Sequence, residues 1–265
     1  MSDTVLYDVA DHVATITLNR PDKLNAMNRA LLEETLAAVE AAASDDAVRV
    51  VIVTGAGRGF CAGGDLTAIA EGERVLDGGP LHADVTRLRR YVRIAELLHE
   101  MPKVTIAAIN GACAGAGLAV ACAADLRYAA ASAVFATAFL RAGLSGDFGG
   151  PWTLTRLVGA AKARELYMLG ERFDAAEAAR IGLVAKTLPD AELMPHVRDV
   201  AARLDASAPL TLRSIKANLN DALEVGFAEL LDREAERHVR SGRTRDALEA
   251  VQAFLQKRPP VFEGR

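Results

Sequence analysis

The chain has 265 residues, of which 51% are hydrophobic and 25% charged, and its formal net charge is −4. This length and composition predict one compact body, and the weak negative charge provides no basic surface for nucleic acid or anionic lipid. The apolar runs are broken before they reach the roughly 20 residues of a membrane span, and no secretory leader is evident. Cys61, Cys113 and Cys122 cannot all pair and lie among apolar or small residues, which favours free thiols in a reducing compartment. We therefore predict a soluble, cytoplasmic protein without nucleic-acid or membrane partners.

Strands and helices alternate in the first half of the chain. Residues 13–18 alternate with period two, and Asn28 is suited to cap a helix that ends near Ser44. Residues 49–53 and 104–109 are continuous apolar strands, which indicates a sheet covered on both faces. Between them, residues 67–84 are polar and glycine-rich, so we predict a surface loop of the kind that forms lids.

The end of the chain has a different pattern. From residue 207 onward no strand pattern is present, and apolar residues such as Leu219, Leu231 and Leu255 recur as on amphipathic helices. We predict a catalytic core over residues 1–206 and a helical appendage over residues 207–265.

A glycine-rich segment follows each apolar strand, residues 54–66 after the first and 110–117 after the second. Glycine lets the backbone approach a ligand closely, and a helix starting at Ala116 would present its first N–H groups at the positive end of its dipole. A developing oxyanion could bind there, or the glycines could only make tight turns and allow close helix packing. The residues alone leave both interpretations open.

Other motif classes gain little support. Residues 57–62 fit a dinucleotide fingerprint only loosely, and neither glycine-rich segment ends in the Gly-Lys-Ser/Thr of a phosphate-binding loop. The five histidines are scattered without metal-ligand spacing, so we predict no metal site.

Asp147 is the only carboxylate between Leu126 and Arg164, and it lies among glycines just before Phe148 and Pro151. Desolvation would raise its pKa, whereas the N-terminus of a helix beginning at Pro151 would lower it. The alternative is a turn residue that accepts backbone hydrogen bonds.

From Val9 to Arg265 these motifs resemble the enoyl-CoA hydratase/isomerase (crotonase) superfamily. The resemblance is carried by residues 18–21 and 24–26, 54–66, 110–117, Asp125 and 253–259. Within the superfamily, residues 54–63, 114–117 and 147–150 look most like the ring-epoxide and Δ3-Δ2 type enoyl-CoA isomerases of phenylacetate catabolism.

The resemblance implies an α/β fold, a spiral of repeated ββα units whose C-terminal helices build trimers, often paired into hexamers. It also implies that the backbone N–H groups of Gly64 and Ala116 form an oxyanion hole for the thioester oxygen. No permanent cofactor is implied, because coenzyme A arrives as part of the substrate. The residues that would line the coenzyme A groove are Lys23, Leu24, Ala26, Ala62, Asp65 and Leu66, with Phe254 and Lys257 approaching from a neighbouring subunit.

The chain departs from the family pattern at the two glutamates that hold the water in hydratases. Ala119 and Phe139 stand at the matching positions, and neither can move a proton. Asp147 falls where isomerase branches carry a catalytic aspartate, and one carboxylate can shuttle a proton between two carbons. The resemblance therefore favours an enoyl-CoA isomerase with Asp147, Gly64 and Ala116 as catalytic groups, and with Phe139, Phe148 and Trp152 as walls of the acyl pocket.

Two alternatives remain at this point. One is a hydratase or related enzyme that uses Asp147 alone as base or nucleophile. The other is a catalytically silent acyl-CoA-binding protein in which Asp147 is only a turn residue.

Overall fold

The computed structural model describes residues 3–70, 75–76 and 78–265. Its strands are β1 (Val5–Ala10), β2 (Val13–Leu18), β3 (Val50–Gly55), β4 (Gly59–Cys61), β5 (Val104–Ile109), β6 (Ala112–Ala114), β7 (Leu126–Ala130), β8 (Val134–Ala136), β9 (Phe173–Asp174) and β10 (Lys186–Leu188). Its helices are α1 (Arg29–Ser44), α2 (Leu66–Ala70), α3 (Leu81–Glu100), α4 (Ala116–Ala123), α5 (Gly150–Val158), α6 (Ala160–Leu169), α7 (Ala175–Arg180), α8 (Asp190–Asp205), α9 (Pro209–Asp221), α10 (Phe227–Gly242) and α11 (Arg245–Gln256). Across the described ranges, no helix combines the length and apolarity required to cross a membrane.

The strands form two sheets that the chain visits in turn. The first has the order β1-β2-β3-β5-β7-β10, and the second has the order β4-β6-β8-β9. Neighbours from β2 to β10 in the first sheet are parallel, as are β4, β6 and β8 in the second. The three middle turns, β3-β4, β5-β6 and β7-β8, each place one strand in each sheet before a helix, which confirms the predicted spiral of ββα units.

The central strands β3 and β5 of the first sheet are buried on both faces, as their continuous apolar sequences predict. Along β3, Val51 and Val53 join a core cluster with α1 and α4, whereas Val50 and Ile52 join a second cluster with α8. Successive side chains of a strand point to opposite faces, so an unbroken apolar run is what such a strand requires.

The predicted capped helix is confirmed as α1. The Asn28 side chain accepts a hydrogen bond from the Leu31 N–H, and the helix ends at Ser44. Its apolar stripe, which includes Leu32, Leu36 and Val39, packs into the main core.

The prediction of a loop over residues 67–84 is wrong at both ends. Residues 67–70 belong to α2, which the Asp65 carboxylate caps by accepting the Ala68 N–H at 3.0 Å, and residues 81–84 form the first turn of α3. Residues 71–74 and 77, which the same prediction covered, lie outside the described residues.

Every element after residue 207 is helical, as predicted. A buried lysine joins this region to the core: Lys216 of α9 lies 2.8 Å from the Asp125 carboxylate and donates to the carbonyls of Leu98 and Lys103. Burial lowers the pKa of Lys216, and Asp125 opposes that shift. The division into units 1–206 and 207–265 stays a prediction.

Candidate active site

The loops that leave β4 and β6 lie side by side, because the two strands are parallel neighbours. Gly63 has φ +91°, and a Cβ there would lie 2.9 Å from the Ala114 carbonyl oxygen. A Cβ on Gly115, at φ +52°, would lie 3.8 Å from the Gly63 Cα. The short contact excludes a side chain at Gly63, and the positive φ at both positions favours glycine. The next residues, Gly64 and Ala116, therefore lie in the same region.

Gly64 and Ala116 present backbone N–H groups that no carbonyl of the described residues accepts. Ala116 is the first residue of α4, so its N–H has no partner within the helix. A Cβ built on Gly64 would meet no atom within 4 Å, which shows that this residue faces open space. Two backbone donors and a helix N-terminus together suit an anionic oxygen.

The loop around Gly64 is held on both sides. The Met27 N–H donates to the Gly63 carbonyl at 2.7 Å, and the Asp65 N–H donates to the Met27 carbonyl at 3.0 Å. The Asp65 carboxylate is buried and lies 2.9 Å from the Arg20 guanidinium. Burial alone would raise the pKa of Asp65, but the Ala68 N–H and Arg20 outweigh it and hold the pKa below its usual value.

Two asparagines hold the turn between β3 and β4. Asn25 donates to the carbonyls of Ala56 and Gly59 and accepts the Arg20 N–H, and its side chain is fully buried. Asn110 donates to carbonyls of the same glycine-rich segment, including that of Gly55 at 2.8 Å. Both are motif residues of the resemblance to which the sequence assigned no role.

The predicted coenzyme A residues divide into two groups. The first group lies along the loops just described, where the Ala62 N–H donates to the Leu24 carbonyl and the Ala26 N–H to the Lys23 carbonyl, each at 3.0 Å. Lys23 and Leu66 are exposed, whereas the Asp65 carboxylate is engaged within the protein. Phe254 and Lys257 form the second group at the end of α11, a helix that packs against α10. Their approach from a neighbouring subunit stays a prediction.

Asp147 lies in a tight loop before α5, where Gly146, Phe148 and Gly149 all have positive φ. Its Oδ1 atom is buried and has no hydrogen-bond partner among the described residues. Burial raises the pKa of Asp147 to about 6. Burial first, and with it the charge of Asp147, raises the pKa of Cys61, at the end of β4, and of Tyr167 on α6.

The three aromatic residues predicted to wall the acyl pocket have different surroundings. Phe139, Phe148 and Ala119 are buried, and the ring of Phe139 lies parallel to that of Tyr167 at a centroid distance of 6.1 Å. Trp152 makes an edge contact with His99 at 5.1 Å and carries the Arg156 guanidinium over its face at 3.7 Å. The assignment of Phe139, Phe148 and Trp152 as walls of an acyl pocket stays a prediction.

The three cysteines are free and buried, as predicted. Burial raises the pKa of Cys61 to about 12 and that of Cys122 to about 11, and it raises the pKa of Cys113 well above its usual value. Protonated thiols are weak nucleophiles, so Asp147 is the better-placed reactive group of this region.

Tyr167 is the residue of this region that the sequence analysis missed. The sequence feature that could have indicated Tyr167 is Gly150, the second of two consecutive glycines. Gly149 has a positive φ, but Gly150 does not, and a Cβ on Gly150 would lie 2.3 Å from the Tyr167 hydroxyl oxygen. A glycine whose φ is negative does not need to be glycine for its backbone conformation, so its presence indicates that a bulky neighbouring group leaves no room for a Cβ.

Comparison with known proteins places these features in a family. The model of the enoyl-CoA hydratase/isomerase family matches residues 8–265. The chain is 38% identical to a probable enoyl-CoA hydratase of Rhodobacter capsulatus, covering 99% of this chain and 98% of that protein. It is 37% identical to the 1,2-epoxyphenylacetyl-CoA isomerase of Escherichia coli, covering both proteins fully. The crystal structure of an enoyl-CoA hydratase from Bacillus anthracis superposes with a TM-score of 0.90 at 32% identity, covering 99% of this chain and 100% of that one. The chain therefore belongs to the enoyl-CoA hydratase/isomerase family, within the crotonase superfamily.

Proposed function

We propose that this acyl-CoA enzyme moves the double bond of an enoyl-CoA between the β,γ and α,β positions. The observation that carries the proposal is the Asp147 carboxyl group, which is buried, lacks a hydrogen-bond partner among the described residues and has a pKa near 6. A base with a pKa close to the working pH transfers protons efficiently in both directions.

The chemistry needs few groups. The thioester oxygen accepts hydrogen bonds from the Gly64 and Ala116 N–H groups. Asp147 removes a proton from Cα, the C–H electrons pass into a dienolate, and negative charge develops on that oxygen. The same carboxyl returns the proton at Cγ, which leaves the double bond between Cα and Cβ. Fixed donors at the oxygen stabilise the intermediate, and each can contribute about 3 kcal/mol.

The composition of the site favours isomerisation over ordinary hydration. Hydration requires a bound water and groups that activate it, but Ala119 and Phe139 offer no proton-transfer atoms. The names of the relatives include both hydratases and isomerases, so the proposal rests on these side chains and not on those names.

The test follows hydrogen exchange at the acyl carbons of 3-enoyl- and 2-enoyl-CoA in deuterated water by NMR. We expect deuterium incorporation with migration of the double bond, and we expect Asp147→Asn to reduce the rate by about 10³-fold. Asp46→Asn, a change at an exposed aspartate beyond α1, is the matched control and should retain full activity.

Two outcomes would overturn the proposal. Accumulation of 3-hydroxyacyl-CoA would make the protein a hydratase that uses Asp147 alone. Binding of the thioester without exchange or turnover would identify a silent acyl-CoA-binding protein.

A further inference from the structure

Tyr167 lies along the segment that carries Asp147. Its Cε1 atom is 3.5 Å from the position of a Cβ on Gly146, and its hydroxyl oxygen is 2.3 Å from that of a Cβ on Gly150. Its ring is also parallel to that of Phe139 within 4°. The tyrosine ring therefore lies against the loop of residues 146–150 and stacks with Phe139.

That loop needs external support. Phe148 has φ +47°, a conformation that costs free energy for a residue with a large side chain, and glycines with positive φ lie close by on both sides. Such a backbone persists only where the surrounding structure determines it. The buried Phe148 ring and the Tyr167 ring are two side chains placed to do so.

The Tyr167 hydroxyl also lies near Ala119 of α4. The Cβ position on Gly150 that lies next to this hydroxyl is only 3.0 Å from the Ala119 Cβ. Among the described residues, the buried Asp147 Oδ1 atom has no hydrogen-bond partner. Burial first, then the nearby Cys122 and Asp147, raise the pKa of Tyr167, so the phenol remains a neutral donor. A neutral donor and an unpartnered acceptor thus share one region of the site.

We propose that Tyr167 is a positioning residue for Asp147: its ring supports the loop of residues 146–150, and its hydroxyl donates to the ionised carboxylate, directly or through one water. This inference deepens the proposed function, because it concerns the group that we propose as the base. Hydrogen bonding to the charged form of an acid favours that form. Tyr167 therefore keeps part of the Asp147 population ionised despite its burial.

The test compares Tyr167→Phe, which keeps the ring and removes only the hydroxyl, with the unmodified protein. We expect the pKa of Asp147 to rise by about one unit, the size of one hydrogen bond to a charged group. The acid limb of the kcat/KM profile should move by the same amount, while KM for the thioester stays within about twofold of its original value. The Asp147 pKa is measured directly by NMR titration of protein labelled with ¹³C at aspartate carboxyls, and Asp147→Asn identifies the resonance.

Tyr128→Phe is the matched control, because the Tyr128 ring packs against His196 on the opposite face of the first sheet. It should change neither the Asp147 titration nor the profile. An Asp147 pKa that is unchanged or lowered in Tyr167→Phe would overturn the inference. The titration requires no turnover, so absence of isomerisation together with a raised Asp147 pKa would reject the proposed function and retain the role of Tyr167.

Discussion

At the scale of single residues, Asp147 is held in an environment that opposes its charge. Its pKa is raised from 3.8 to about 6 by burial, so the folded protein binds this proton more tightly than the unfolded chain does. The tighter proton binding of the folded state therefore adds to the free energy of unfolding. This contribution is fully present below about pH 4 and is lost as the pH rises through 6. The catalytic carboxylate that we propose is thus a destabilising group at neutral pH.

We predict that Asp147→Asn stabilises the protein by about 2 kcal/mol at pH 8, since a neutral amide avoids the cost of a buried charge. Urea unfolding at pH 8 and at pH 5 measures the effect, and the gain should shrink at the lower pH. A gain of equal size at both pH values, or a loss at pH 8, would show that burial does not oppose the charge. Higher stability together with lost turnover is the pattern expected of an active-site group.

Sequence reasoning located Asp147 but not its surroundings. Its isolation among glycines is visible in the chain, because no other carboxylate lies between Leu126 and Arg164. The direction of its pKa shift stayed open, because burial by Phe148 and Tyr167 depends on how α6 packs against the loop. Contacts of that kind join elements that are distant in sequence, so they cannot be predicted from the pattern of neighbouring residues.

At the scale of elements, the predictions succeeded where a local pattern determines the structure. β5 has the predicted bounds, Val104–Ile109, and α4 starts at the predicted Ala116, because glycines and polar residues delimit short apolar runs. The three-residue strands β4, β6 and β8 were missed as strands, since they are too short to show a periodic pattern and their partners in the second sheet are distant in sequence. The helix α2 was missed because its cap, Asp65, lies in a segment dominated by glycine.

Alanine substitutions at two glycines of the site distinguish an effect on activity from an effect on stability. Gly64 has no positive φ and faces open space, so Gly64→Ala should leave the free energy of unfolding within about 1 kcal/mol. Its methyl group would enter the space before the two N–H donors and displace the thioester, and kcat/KM should fall by about 10²-fold. Steady-state kinetics and urea unfolding of the same preparation measure both quantities.

Gly117→Ala is the counterpart in α4. Its Cβ would lie 2.4 Å from the Cys61 carbonyl oxygen, a backbone atom that cannot move aside cheaply, and we expect a loss of about 2 kcal/mol in stability. If Gly64→Ala destabilised the protein as much as Gly117→Ala, the space in front of Gly64 would not be a substrate site.

At the scale of the whole molecule, the C-terminal helices leave apolar surface uncovered. Exposed apolar residues on α9, α10 and α11 include Leu219, Phe227, Leu248, Val251, Phe254 and Leu255, and Phe254 is 83% exposed. The periodicity of the sequence predicted these amphipathic helices, but it does not indicate which surface packs against their apolar faces. Exposed apolar faces of this extent mark protein interaction sites.

We predict that a trimer, alone or paired into a hexamer, buries these faces. The same assembly would bring Phe254 and Lys257 of one chain close to Lys23 of the next. Light scattering should then give about 84 kDa, three times the 28.1 kDa of one chain, or twice that value.

Val251→Glu combined with Leu255→Glu should lower the mass in dilute solution, because charge inside an apolar interface is costly. Gln256→Glu adds charge at a neighbouring exposed position and should leave the mass unchanged. A mass near 28 kDa for the unmodified protein would contradict the assembly and would also remove Phe254 and Lys257 from the proposed coenzyme A site.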